Sequence, residues 1–220
     1  MLFETMTVLL DPHPHGAALN MALDEVLLRS ATQTLLRIYR WTSPAISLGY
    51  FDKIAEIEPS AAGRELVRRW TGGGVVFHGE DLTYTLVVPA GSPFAHVAAR
   101  DSYRRIHERV AVALRTDGVE TELAAQTAAK VSSGCFENPA EADVLTGSRK
   151  IAGAAQRRTR FGLLHQGSVQ DFPSHAALAA NLRTTFAVTT EERSLTDKEL
   201  AEAAQLADEK YGTEAWLRRF

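Results

Sequence analysis

The run Thr5-Met6-Thr7-Val8-Leu9-Leu10, broken by Asp11-Pro12-His13-Pro14, predicts a first strand. Leu19, Ala22, Leu23, Val26 and Leu27 then recur at the three and four spacing of one helical face. Asn20, Asp24, Glu25 and Arg29 fall off that stripe, so Asp24 and Glu25 read as a solvated face. Leu35 to Trp41 alternates as a strand, Ser43-Pro44 marks a turn, and Ala45 to Phe51 follows, which together predict a hairpin. Trp41, Tyr50 and Phe51 read as core, and Gly49 beside two aromatics marks a wall where something packs closely. Asp52 to Arg64 reads as loop and short helix before a strand at Leu66 to Arg69.

A glycine-rich loop and the apolar run Leu82 to Pro89 come next. From Val97 to Val119 the pattern is helical, with Tyr103, Ile106, Val110, Ala113 and Leu114 on one face and Gly118 as the stop; His107, one position off the stripe, reads as a surface residue. Ala124 to Lys130 carries no readable pattern, and Ser132-Ser133-Gly134 reads as loop. A hairpin turning at Gly147 is predicted next, with Lys150 near the start of its second strand, then a strand at Leu163 to Val169. Helices are predicted at Ser174 to Leu182 and Asp197 to Tyr211, the second with Ser194 or Thr196 available as cap. No repeat or low-complexity linker appears, so one domain over 1–220 is expected.

With 45% hydrophobic and 23% charged residues the 220-residue chain has the composition of a folded globular protein. A formal net charge of −3 gives no pull toward nucleic acid or anionic lipid. The sequence holds no apolar run of membrane-spanning length and no basic leader, so no membrane partner and a cytoplasmic location are expected. The one cysteine, Cys135, rules out an internal disulfide and any multi-cysteine metal site. His13 and His15 flank a proline with no further ligand nearby, and no metal site is read there.

Chemistry concentrates in Arg68-Arg69-Trp70-Thr71-Gly72-Gly73-Gly74-Val75-Val76-Phe77-His78. Three consecutive glycines imply either a turn with φ > 0 or a backbone that lets a ligand lie against it. No Gly-Lys-Ser/Thr follows, and no Gly-x-Gly-x-x-Gly opens a helix, so neither nucleotide-binding loop pattern is present. Small residues Ala152, Gly153, Ala154 and Ala155 leave room above their strand for a ligand or another backbone. Arg149, Lys150, Arg157, Arg158 and Arg160 cluster there, either as a solvated edge strand or as a positive docking surface for an acidic partner. His165 sits amid apolar residues, where a histidine is usually a satisfied core group. Cys135 is either a buried structural thiol or a reactive one.

Three blocks, Asn20 to Glu25, Arg68 to Tyr84 and Cys135 to Ser168, together resemble the biotin and lipoate protein ligase catalytic domain family in order and separation. Arg-Arg-x-Thr-Gly-Gly-Gly-x-Val-x-His and Gly-x-Arg-Lys-Ile-x-Gly-x-Ala-Gln resemble its lipoate branch. The resemblance implies an α/β (α+β) fold, with a central mixed β-sheet flanked by helices and a small second sheet. It also implies a pocket for an octanoyl or lipoyl chain, lined by Arg69, Thr71, Gly72, Gly73, Gly74, Val76 and His78, with Gly153 and His165 from the later strands. Lys150 matches the family's lysine, whose ammonium sits against the acyl carbonyl.

Two chemistries within the branch fit. A transferase takes octanoate from octanoyl-acyl carrier protein onto its own cysteine, then onto a lysine of glycine cleavage H protein or dehydrogenase E2 lipoyl domains, without a cofactor. A ligase activates free lipoate with ATP and magnesium. Cys135, fifteen positions before Lys150, resembles the nucleophile of single-cysteine octanoyltransferases, and His78-x-x-Asp81-Leu82-Thr83-Tyr84 is similar to that branch. Gly72-Gly73-Gly74 in place of Gly-Gly-Arg resembles the ligases, and Asp52 stands where the transferases carry glutamine. The chain stops soon after Trp216, and the accessory C-terminal domain of many ligases is not expected. The expectation is therefore an octanoyl or lipoyl acyltransferase, with a lipoate-protein ligase as the alternative and a non-catalytic acyl-binding protein as a third.

Overall fold

The computed structural model of the protein describes residues 1–128 and 135–220. The loop expected at Ser132-Ser133-Gly134 falls outside them, as does the side chain of Cys135. The strands are β1 (Phe3–Leu10), β2 (Leu35–Tyr39), β3 (Ala45–Leu48), β4 (Glu65–Arg68), β5 (Val76–His78), β6 (Leu82–Pro89), β7 (Glu122–Leu123), β8 (Val144–Thr146), β9 (Arg149–Thr159), β10 (Gly162–Val169) and β11 (Ala187–Ser194). The helices are α1 (Ala17–Ser30), α2 (Ala99–Thr116), α3 (His175–Phe186), α4 (Asp197–Leu206) and α5 (Glu214–Leu217). Among the described residues no helix is long and apolar enough to cross a membrane.

The main sheet runs β11-β1-β2-β6-β10-β9-β8-β7, parallel where β1 meets β11 and β2 and antiparallel elsewhere, and a second sheet runs β4-β3-β5. This is the central mixed sheet with a small second sheet that the sequence led us to expect. Side chains alternate across the main sheet, so consecutive residues of one strand enter different cores. Leu36, Leu86, Val88 and Leu163 meet α2 and α3, while Leu35, Val87 and Leu164 meet Leu27 and Leu28 of α1. On α2, Ile106, Val110, Ala113 and Leu114 supply the predicted stripe.

α1 departs from the simple amphipathic reading. It lies between the sheet and α4, so it is buried nearly all round, and Asp24 and Glu25 are both fully buried rather than solvated. Each carboxylate is buried because it is paired, as burial of charge demands. Glu25 accepts from Lys210 Nζ and Tyr211 Oη, both at 2.5 Å, and also from Arg29. His107 is likewise not on the surface, for α2 packs that side under the segment before β8, where His107 Nδ1 donates to the Ala142 carbonyl at 2.7 Å.

β2 and β3 do not form the expected hairpin. All four residues of β3 are buried, so it needs a neighbour on each side, and it takes β4 in parallel and β5 antiparallel to become the centre of the small sheet. β9 is an interior strand between β10 and β8, not a solvated edge. The hairpin at Gly147 forms, with that glycine at φ 56°, and Thr196 caps α4 through a reciprocal capping box with Glu199. α4 ends at Leu206 and a wider turn carries the chain on to Tyr211.

Candidate active site

The two sheets and α1 line a narrow, closely filled cavity of about 30 Å³. Met21 of α1, Tyr39, Trp41, Val76, Phe136 and Ala155 give it an apolar wall, and Ser47, Arg69, His78, Thr83, Gln166 and Ser168 supply its polar groups. Trp41 is thus a cavity wall rather than core alone, and Phe51 is 72% exposed.

The glycine stretch forms the loop between β4 and β5. Gly73 has φ 83°, the left-handed region that glycine enters without strain, and it lines the cavity. Gly49 shows what packs closely there, since a Cβ at that position would lie 2.9 Å from the carbonyl carbon of Gly73 and overlap its oxygen. Arg69, buried behind the loop, donates to Gly72 O at 3.0 Å and Gly74 O at 2.8 Å, and to the Ser47 carbonyl and Oγ at 2.6 Å each. One guanidinium therefore ties the loop to β3, a task suited to its rigid fork of donors.

A second relay reaches the loop from α1. Thr71 Oγ1 donates to Gln166 Oε1 at 2.7 Å, and Gln166 Nε2 donates to Asp24 Oδ2 at 2.7 Å. Asp24 also accepts from Thr85 at 2.6 Å and from Arg37 at 2.8 Å. Burial alone would pull the Arg37 guanidinium down, but Asp24 and Asp11 hold it above its ordinary pKa. Thr71, Gly72 and Gly74 do not line the cavity, while Gly73, Val76, His78, Arg69 and Gly153 do.

On β5, His78 stacks on Trp41 with ring centroids 4.1 Å apart. Its Nδ1 is 2.8 Å from Asp81 Oδ2, and its Nε2 is 2.7 Å from Ser47 Oγ. Asp81 further accepts from Ser168 at 2.6 Å, Thr83 at 2.8 Å and the Gly79 amide at 3.1 Å. Burial pushes that carboxyl up, yet His78 beside it and the hydrogen bonds outweigh burial and hold it at about 2.

Lys150 stands at the other side, over β9. Its Nζ is 2.7 Å from Asp143 Oδ2, both groups buried, and 5.3 Å from the centroid of the Phe136 ring. Asp143 is held in turn by Tyr103 Oη at 2.5 Å and the Ala140 amide at 2.7 Å. Bare Gly153 makes room for the lysine, for a Cβ there would come 2.7 Å from Nζ.

His165 does not belong to the cavity. It faces the α2 side of β10, with Tyr84 Oη 3.1 Å from its Nε2 and Gln156 Nε2 3.1 Å from its Nδ1, and burial holds its imidazole well below its ordinary pKa. The alternation of β10 explains this, since Gln166 and Ser168 are the residues turned toward the cavity. Nor do the arginines of β9 form one surface. Arg157 turns toward Trp70, donating to its carbonyl at 2.9 Å, whereas Arg158 reaches the Val97 carbonyl and Ser102 on the opposite face. Sequence reasoning missed Ser47, Gln166, Ser168 and Asp143. Only the alternation of Gln166 and Ser168 along one strand offered a signal.

A mixed main sheet flanked by helices and joined by a small second sheet is the fold of solved lipoate-protein ligases. A T. acidophilum protein solved with bound lipoic acid superposes with a TM-score of 0.81 over 100% of both chains at 23% identity. Lipoate-protein ligase A bound with ATP superposes with a TM-score of 0.75 over 99% of both chains, also at 23% identity. The family model for the lipoyl protein ligase A/B catalytic domain matches residues 16–201, and the chain belongs to that family. It is similar to octanoyltransferase LipM of Carboxydothermus hydrogenoformans, 31% identical over 93% of this chain and 96% of that one. The LipM of Oceanobacillus iheyensis is 36% identical over 73% of this chain, a match spanning 62% of that relative's length.

Proposed function

We propose that the protein is an acyltransferase of protein lipoylation, carrying an octanoyl group by way of Cys135 from octanoyl-acyl carrier protein to a lysine of a lipoyl-domain protein. The acceptor class is glycine cleavage H protein or a dehydrogenase E2 lipoyl domain. The observation that carries this reading is the placement of Lys150. Its ammonium lies buried over bare Gly153 and beside the Phe136 ring, and Phe136 directly follows Cys135 in the chain. The named octanoyltransferase relatives support the same reading.

The chemistry needs no external energy. The Cys135 thiolate adds to the donor thioester carbonyl, the carrier thiol leaves, and the acyl group stays on the enzyme as a thioester. The acceptor lysine's amine then adds, the enzyme thiol leaves, and an amide forms. In both steps negative charge builds on the carbonyl oxygen, and a fixed cation such as Lys150 stabilises it. Asp143 keeps that ammonium in one place, so little reorganisation is needed as charge develops. The apolar wall of Met21, Val76 and Ala155 takes the alkyl chain. This route uses neither metal nor nucleotide, whereas the ligase route requires ATP and magnesium.

Intact mass after incubation with octanoyl-acyl carrier protein tests the proposal. The expected result is an octanoyl adduct on the wild-type chain and none on Cys135→Ala. Pyrophosphate exchange that needs ATP and lipoate and survives that substitution would assign the ligase route instead.

A further inference from the structure

Ser47, His78 and Asp81 stand in the order and spacing of a nucleophile, base and orienting carboxylate, and the Cys135 route as written assigns none of them a step. Ser47 comes from β3, His78 from β5, and Asp81 from the turn before β6. Ser47 Oγ is 2.7 Å from His78 Nε2, and His78 Nδ1 is 2.8 Å from Asp81 Oδ2. An ionised carboxylate only accepts, so Nδ1 carries a proton, and in the tautomer with Nε2 bare that nitrogen faces the serine as an acceptor. Ser47 Oγ already accepts from Arg69 Nη1 at 2.6 Å, which leaves its own hydrogen to point at Nε2. The ring is held in that pose by Trp41, stacked on it at 4.1 Å, and Trp41 Nε1 is fixed on Thr83 Oγ1 at 2.9 Å. Ser47 and His78 both line the cavity.

We propose that Ser47 is a second acyl-accepting nucleophile, activated by His78 and Asp81, through which the protein forms an acyl-serine ester from activated medium-chain acyl esters or thioesters independently of Cys135. His78 Nε2 takes the hydroxyl proton as Oγ bonds to the acyl carbon. The bond to the leaving thiolate or phenolate then breaks, and the leaving group receives that proton. Arg69, already on Oγ, lies close enough to stabilise the oxyanion of the addition step. Water later adds to the ester, releasing the carboxylic acid and restoring the serine. Ser47 is fully buried, so water reaches the ester poorly and the acyl group persists.

The test uses the full chain carrying Cys135→Ala, mixed with 4-nitrophenyl octanoate. It should release nitrophenolate in a burst approaching one equivalent, followed by slow turnover. Peptide mapping should find the octanoyl group on Ser47. Adding Ser47→Ala should abolish the burst, and Asp81→Asn should slow it at least about 100-fold. An adduct on another residue, such as Lys150, or no adduct at all overturns the proposal, and so does a burst unchanged by Ser47→Ala. Mapping the adduct on the wild-type chain decides the question should a substituted chain fail to fold. There an ester on Ser47 is separate from a thioester on Cys135, so failure of this inference leaves the transferase reading standing.

Discussion

Lys150 occupies the space that a side chain at Gly153 would fill: a Cβ on Gly153 would lie 2.7 Å from the lysine Nζ. Glycine is needed here for the volume it leaves, not for its backbone freedom. Because the obstructed group is the end of a flexible side chain, Gly153→Ala should shift the ammonium at small cost in stability, with its pairing to Asp143 kept but its place over the strand lost. The expected outcome is a loss of acyl transfer of about 100-fold, with a melting temperature within a few degrees of the parent. Single-turnover kinetics and thermal unfolding measured side by side check the split.

Asp143→Asn should behave differently. It removes the charge that pairs with a buried ammonium, and breaking such a pair from one side costs about 3–5 kcal/mol. Both stability and transfer should fall, and denaturant unfolding reads the first directly. A variant as stable as the parent would show that Lys150 has another adequate partner.

The two glycines flanking the loop's entry should differ in tolerance. At Gly49 a Cβ overlaps the backbone of Gly73, which cannot swing away, so Gly49→Ala should cost about 1–3 kcal/mol or more. At Gly72 nothing lies within 4 Å, so Gly72→Ala should fold as the parent does. Equal melting temperatures for the two variants would contradict the packing described.

Acid should weaken the fold through His107. Burial, with Lys150 nearby, holds its imidazole at about 4 against an ordinary 6.5, so between those values the unfolded chain binds a proton that the native state does not. Stability is therefore unaffected above pH 6.5 and falls by about 3 kcal/mol as pH drops from 6.5 to 4. Buried His165, held low by burial and by His107, adds in the same direction. Urea unfolding from pH 7.5 to 4 should show a shallower loss in His107→Gln than in the parent. Parallel curves would place the acid sensitivity elsewhere.

What the sequence made legible was mostly local or carried by motif. Gly147 at its turn, Thr196 at its cap and the stripe of α2 follow from rules acting within a few residues. The glycine loop, Lys150 and the two-sheet fold came with the family's spacing. Illegible were features set by distant partners. Asp24 is buried because Arg37, Thr85 and Gln166, from three strands, converge on it, and no periodicity within α1 reveals that. β3 joins the small sheet because β4 and β5 arrive later to flank it. Ser47 meets His78 only through that same pairing, while His165 was misplaced by one step of strand alternation.

The most direct test of the central claim is single-turnover transfer of octanoyl from carrier protein to a lipoyl domain, without ATP, comparing the parent with Lys150→Met. Rapid transfer by the parent and a loss of at least about 100-fold in the variant, with the fold retained, are expected. Transfer by Lys150→Met at the parental rate, or a parent that transfers nothing until ATP and magnesium are supplied, would contradict that claim.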